Sequence, residues 1–328
     1  MRLGSMTVRR IAKASFLAVA FLATLGCSLS TTASAHSWAV RLDVSSGTRA
    51  LDELTAAKAV VLGVVEGLTE YLPVSSTGHL TVAERLLHVG RSDATSRAVK
   101  SYTVIIQIGA IVAVVWLYWG RLVQLLRGLF GGDREGRRIL VALLVAFVPA
   151  ALVGKGLEDP IERHLLGPFP VAMAWLVGGV GILVFVRRRP MAALNGKSLA
   201  ALTNRQALLI GLAQVLALWP GTSRSLVTIV GGLLVGMNLA AAVEFSFLLG
   251  LGTLSAATGY EILRHGTEVT GAFGLAAPAV GIVTAFVTAF AAVKWMVAYL
   301  NRRDLSLFGW YRIAIGACTV ALLGTGVL

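Results

Sequence analysis

Glu66 and Glu70 stand four residues apart in an otherwise apolar stretch of the amino-acid sequence. On a helix that spacing puts both carboxylates on one face, close enough to act on one ligand. Carboxylates inside such a stretch are costly and usually mark a functional path; the bland alternative is that one of them pairs with a nearby arginine to be tolerated. Hard oxygen ligands of this kind suit Mg²⁺ or Ca²⁺, and such an ion bridges phosphate oxygens. Pro73 then ends the first half-helix, and Ser75, Ser76, Thr77, Gly78 and His79 follow. They offer hydroxyls, free backbone N–H groups and one imidazole, a set that suits phosphate. His79 fits general acid–base work or nucleophilic attack, with a structural hydrogen-bonding group as the alternative.

A second cluster reads Pro220-Gly221-Thr222-Ser223-Arg224-Ser225, with Thr228 following. It places a guanidinium among hydroxyls, and arginine is the side chain that grips a phosphate with two bonds at once. Long apolar flanks on both sides carry this arginine into the membrane, so it is not a loop charge that merely orients helices. The two clusters share an order of residues. Gly63, Glu66, Pro73 and the pair Ser75-Ser76 find counterparts in Gly211, Gln214, Pro220 and the pair Thr222-Ser223, about 147 positions later with a one-residue gap.

The elements that must position these residues are membrane helices. Of 328 residues, 56% are hydrophobic and only 14% charged, and the mean hydropathy is +0.79, outside the usual balance of a soluble domain. Apolar runs at 104–119, 171–186 and 273–293 approach or reach the ~20 residues that cross a bilayer. Loop charge sets their direction. Segment 120–138 carries a net +3 and 187–205 has five basic residues and no acidic one, whereas 155–164 carries −1. The first two belong inside and the third outside, with 261–268 outside and 301–304 inside continuing the alternation. Spans near 103–119, 139–153, 170–186, 240–262, 273–298 and 308–328 satisfy every loop.

Two further apolar stretches, 57–83 and 206–237, are broken in the middle by proline, glycine and hydroxyl residues and read as re-entrant hairpins. The expected architecture is an all-α polytopic membrane protein of two inverted repeats, about 57–190 and 206–328, each a broken-helix hairpin plus about three spans. An odd number of crossings per repeat makes the second enter from the opposite face. Such repeats put their special residues at the midplane.

The first 35 residues carry Arg2, Arg9, Arg10 and Lys13, an apolar run, and Ala33-Ser34-Ala35, the order of a secretory signal. Cleavage after Ala35 and an uncleaved anchor both remain open, with 36–56 as a linker before a catalytic domain at 57–328. Cys27 and Cys318 lack metal-ligand spacing and indicate neither a disulfide framework nor a zinc site. The net charge of +13 sits in short loops beside apolar runs, where it meets lipid headgroups; no basic domain stands free for nucleic acid.

The run from Glu66-Gly67-Leu68-Thr69-Glu70 through Tyr71-Leu72-Pro73-Val74-Ser75-Ser76-Thr77-Gly78-His79, together with Pro220-Gly221-Thr222-Ser223-Arg224-Ser225, closely resembles the undecaprenyl-diphosphate phosphatase family associated with bacitracin resistance. The resemblance covers about 55–328 and includes Gln107-Ile108-Gly109-Ala110-Ile111 and Glu244-Phe245-Ser246-Phe247. It implies hydrolysis of undecaprenyl diphosphate to the monophosphate carrier of cell-wall synthesis, a divalent cation, and a site that opens outward from the bacterial inner membrane. It also implies essential acids at Glu66 and Glu70, nucleophile or helper roles for Ser76 and His79, and phosphate binding by Arg224, Ser223 and Thr228, with Ser75, Thr77 and Ser225 beside them. Leu226 and Thr103 depart from the family pattern, which has Gly and commonly an acid there. The expected partners are the polyprenyl diphosphate and membrane lipids, with a homodimer left open. A polyprenyl-phosphate transporter or flippase is the main rival, since inverted repeats with broken helices are transporter architecture. The other lipid phosphatase pattern fails, because Arg189-Pro190 lies in a basic loop and no histidine follows Ser223-Arg224 within reach.

Overall fold

The computed structural model describes residues 53–90, 93–188 and 196–328. The signal-like segment 1–35, most of the 36–56 linker, and Arg189-Pro190 lie outside the described residues. The described chain is helical, with one isolated bridge between Lys197 and Met237 as its only strand-like pairing.

Thr55 caps the first helix, its hydroxyl accepting the Lys58 N–H at 3.3 Å, and α1 runs Ala56–Thr69, followed by α2 at Ser76–Leu87. Then come α3 (Asp93–Ile105), α4 (Gln107–Leu117), α5 (Trp119–Leu129), α6 (Arg134–Leu165) and α7 (Pro168–Arg188). The second half opens with α8 (Asn204–Gln214), started by a Thr203/Gln206 capping box, and α9 (Arg224–Leu234). It closes with α10 (Leu239–Phe273), α11 (Ala276–Leu300) and α12 (Ser306–Gly324).

Among the described residues six helical stretches are long and apolar enough to cross a bilayer: Thr95–Leu117, Arg134–Leu157, Pro168–Arg188, Leu239–Phe273, Ala276–Leu300 and Ser306–Gly324. The chain is a multi-pass membrane protein, and the expected spans recur with shifted ends. The first begins at Thr95 rather than near 103, because α3 and α4 stack into one span interrupted at Ile106. The second reaches Leu157 rather than 153, and its helix α6 continues beyond Pro160 to Leu165.

The pairing of helices follows the order of the chain. Each broken hairpin precedes three spans, and each packs on the middle span of the other half: α1 on α11, α8 on α6. The first spans pair as α3 with α10, and the last as α7 with α12. Close approach at α1 and α11 depends on Gly63 and Gly67, where a Cβ would run into the backbone of Gly281 and Ala285. Small residues at a membrane helix interface let backbones approach in this way, since dispersion rather than water exclusion holds such helices together.

Candidate functional site

In a membrane, non-helical backbone survives only if its polar groups find partners inside the protein. The turn between α1 and α2 shows how this is met. The Leu72 carbonyl accepts the Ser225 hydroxyl at 2.8 Å, and the Pro73 carbonyl accepts Arg312 Nη1 at 3.4 Å. The Val74 carbonyl accepts the Trp175 indole N–H at 2.8 Å, and the Ser75 carbonyl accepts His79 Nδ1 at 2.6 Å. Four successive carbonyls are therefore held by side chains, from α9, α12, α7 and α2.

Both turns end in the same local geometry. Ser75 has φ 73° and ψ 104°, and Ser223 has φ 74° and ψ 112°. Left-handed backbone at a residue with a Cβ costs on the order of 1–3 kcal/mol, so its recurrence at both sites reflects a constraint on them. Each serine caps the following helix, its Oγ accepting the N–H of Gly78 or Leu226 at 3.4 and 3.3 Å. The free N–H groups at the starts of α2 and α9 favour an anion there.

The side chains of the two halves meet at Glu70. One carboxylate oxygen accepts Arg224 Nη2 at 2.7 Å, with the partners only 14% and 6% exposed. The other accepts the Ser76 hydroxyl. Arg224 also donates Nη1 to the Ser246 carbonyl at 3.2 Å and lies over the Tyr71 ring, 5.4 Å from its centroid. Gly250 leaves room for the guanidinium, since a Cβ there would overlap it. Ser223 and Ser225 share a hydroxyl contact at 3.0 Å. Glu66 is fully buried, and neither of its carboxylate oxygens accepts a hydrogen bond. A buried, unpartnered carboxylate is what a cation ligand looks like before its ion is considered. Among the described residues no three His, Cys, Asp or Glu side chains gather as a metal cage. An ion held by one or two carboxylates and by phosphate oxygens would suit this lining, the usual habit of Mg²⁺.

Some expected residues sit away from this junction. Thr77 is exposed and lines a cavity of about 1030 Å³ between α2, α3 and α10, which also holds Glu84, Arg97, Lys100 and Gln107. The Thr228 hydroxyl is committed to the Arg224 carbonyl at 2.8 Å and the Ser246 hydroxyl at 2.7 Å, so it supports Arg224 from beneath. His79 has no free ring nitrogen. Its Nδ1 must donate to the Ser75 carbonyl, which leaves Nε2 to accept from the Tyr311 hydroxyl at 2.8 Å. Tyr311 stacks on it and Trp175 meets it edge-on. The departures are mild: Leu226 is buried core and Thr103 lines the cavity wall.

Sequence reasoning quoted Tyr71 and Ser246 within its motifs without giving them a role, and passed over Trp175, Tyr311 and Arg312. Of these last three only Arg312 carried a signal, a charge within the apolar span 306–324. Trp175 and Tyr311 are ordinary residues of apolar helices.

Six spans around two broken hairpins, with carboxylates, hydroxyls and a guanidinium where the hairpins meet, define a polytopic membrane protein with a buried polar site suited to a phosphorylated ligand. Comparison with known proteins makes this particular. The model of the family described as bacitracin resistance protein BacA matches residues 59–318. An undecaprenyl-diphosphatase of Nitrosomonas europaea is 42% identical over 278 residues, 85% of this chain and 98% of its own. Undecaprenyl-diphosphatase 2 of Rhodospirillum rubrum is 43% identical over 279 residues, again 85% and 98%. An undecaprenyl-diphosphatase of Sorangium cellulosum is 45% identical over 268 residues, 80% and 85%. The chain belongs to the bacitracin resistance protein BacA family.

Proposed function

We propose that the chain hydrolyses undecaprenyl diphosphate to undecaprenyl phosphate and inorganic phosphate, from a site reached from the outer side of the bacterial inner membrane. The observation that carries this reading is the hydrogen-bonded run Ser76–Glu70–Arg224. Phosphoryl transfer needs an aligned nucleophile, an acceptor for its proton and fixed positive charge at the phosphoryl oxygens. Glu70 is placed to take a proton from the Ser76 hydroxyl, or from a water in its place. Arg224, withdrawing from Glu70 as the substrate arrives, supplies the two-pronged grip, and the N–H groups that open α2 and α9 face the same junction. Glu66, with Glu70 beside it, would hold Mg²⁺ or Ca²⁺, which supplies neutralisation of the diphosphate charge. His79 is assigned here to holding the Ser75 carbonyl, and so the start of α2, rather than to attack.

The inverted repeat belongs to this proposal. Its supports are the matched Ser75 and Ser223 geometry and the reciprocal packing of each hairpin on the other half. The outward opening rests on loop charge, since the positive-inside rule places the 155–164 and 261–268 segments outside.

The test is phosphate release from a C55 diphosphate by purified protein in detergent, with and without chelator. The expected result is hydrolysis that chelator stops and Mg²⁺ or Ca²⁺ restores. Absence of release in detergent combined with lipid movement across vesicles would establish the transporter reading instead, because transport needs two compartments and hydrolysis does not.

A further inference from the structure

Arg312 is fully buried near the middle of α12, and no carboxylate pairs with it among the described residues. Its acceptors are backbone carbonyls. Nη2 donates to Ala174 at 2.8 Å and to Gly221 at 2.9 Å, and Nη1 to Pro73 at 3.4 Å, while Nε has no acceptor. Pro73 belongs to the turn of the first hairpin, Gly221 to that of the second, and Ala174 to α7. The neighbouring Tyr311 holds His79. Packing alone would be served by an apolar side chain of similar length, and burying a guanidinium without a counter-charge is costly. What an apolar chain cannot do is donate to two non-helical turns at once.

We infer that Arg312 is a positioning residue that fixes the first half-site, Glu70 and Ser76, against the second, Ser223 and Arg224, without touching the substrate. The inference rests on the phosphatase reading of those half-sites. It follows that removing the charge should harm geometry more than stability.

The experiment compares Arg312→Met and Arg312→Lys with the wild-type full chain. Thermal midpoint, kcat and KM are read for each. Distance distributions come from spin labels at Arg85→Cys on α2 and Leu234→Cys on α9, in a background with Cys27 and Cys318 replaced. Arg312→Met should shift the thermal midpoint only modestly, because relief of a buried, unpaired guanidinium offsets part of the cost of leaving the Pro73 and Gly221 carbonyls without this donor. Its kcat should nevertheless fall by about 100-fold, the size of effect that roughly 1 Å of misplacement produces, with a much smaller change in KM. The label distances should broaden or shift. Arg312→Lys, able to reach fewer carbonyls from one ammonium, should recover part of the rate and narrow the distribution. A kcat for Arg312→Met within threefold of wild type would overturn the inference. So would a wild-type distance distribution accompanied by a lowered midpoint, the mark of a residue that only supports the fold. If the wild-type chain released no phosphate, the phosphatase reading would fail, and the label distances alone would decide whether Arg312 ties the hairpins together.

Discussion

Replacing Glu70 by glutamine tests the junction at its centre. The carboxylate accepts from Arg224 with one oxygen and from Ser76 with the other. An amide of the same shape can face only one of them with its oxygen. If that oxygen stays on Arg224, its NH₂ meets the Ser76 hydroxyl, which then has to accept a hydrogen bond and loses the route for its proton. Loss of a positioned general base typically costs about 10²–10⁴ in rate. A fall of about 10³ in kcat/KM for Glu70→Gln is expected here, equivalent to about 4 kcal/mol. Removing one partner of a buried ion pair also costs roughly 3–5 kcal/mol. With exposures of 14% and 6%, solvent screening relieves little of that, and a lowered thermal midpoint is expected alongside. Arg224→Gln should be severely impaired as well, and the double variant should cost little more than the worse single one, because groups that act as a unit are non-additive. Arg224→Lys keeps the charge and loses the fork; a lost charged hydrogen bond of about 1.5–3 kcal/mol corresponds to an impairment of roughly 10- to 150-fold. The assay is steady-state phosphate release from C55 diphosphate in detergent. Turnover by Glu70→Gln within about threefold of wild type, or single-variant losses that simply add, would refute the arrangement.

Gly250→Ala should lower activity while leaving the fold intact: the new methyl meets the far end of the Arg224 side chain, which can swing away from Glu70 more cheaply than the backbone can move. A variant with normal turnover would mean Arg224 is not held where the structure puts it. For orientation, a cysteine at Lys197 should react with an impermeant reagent only from the cytoplasmic side and one at Lys155 only from outside, with Cys27 and Cys318 removed. Reaction of both from one face would remove the inverted repeat.

Chain composition and residue order were enough for the spans, because an apolar run of bilayer length leaves no alternative to helix when no water is present to satisfy the backbone. They were enough for the two breaks as well, since Pro73 and Pro220 withdraw a backbone donor and the serines after them cap new helices. Glu66, Glu70, Ser76 and Arg224 were legible as a candidate site because charges and clustered hydroxyls are costly in such segments without a purpose. Which of them touch was not. Helical spacing puts Glu66 and Glu70 on one face but says nothing of which carboxylate pairs with an arginine 154 positions away. Tertiary packing gives that partner to Glu70 and leaves Glu66 without a donor. It also turns Thr77 towards the large cavity and Thr228 beneath Arg224, and closes both nitrogens of His79. Arg312 could be seen as a charge out of place, yet its partners are carbonyls of Pro73, Ala174 and Gly221. Backbone acceptors are present at every residue and so leave no mark in a sequence; only the meeting of two turns and α7 around one guanidinium makes these three different from the rest.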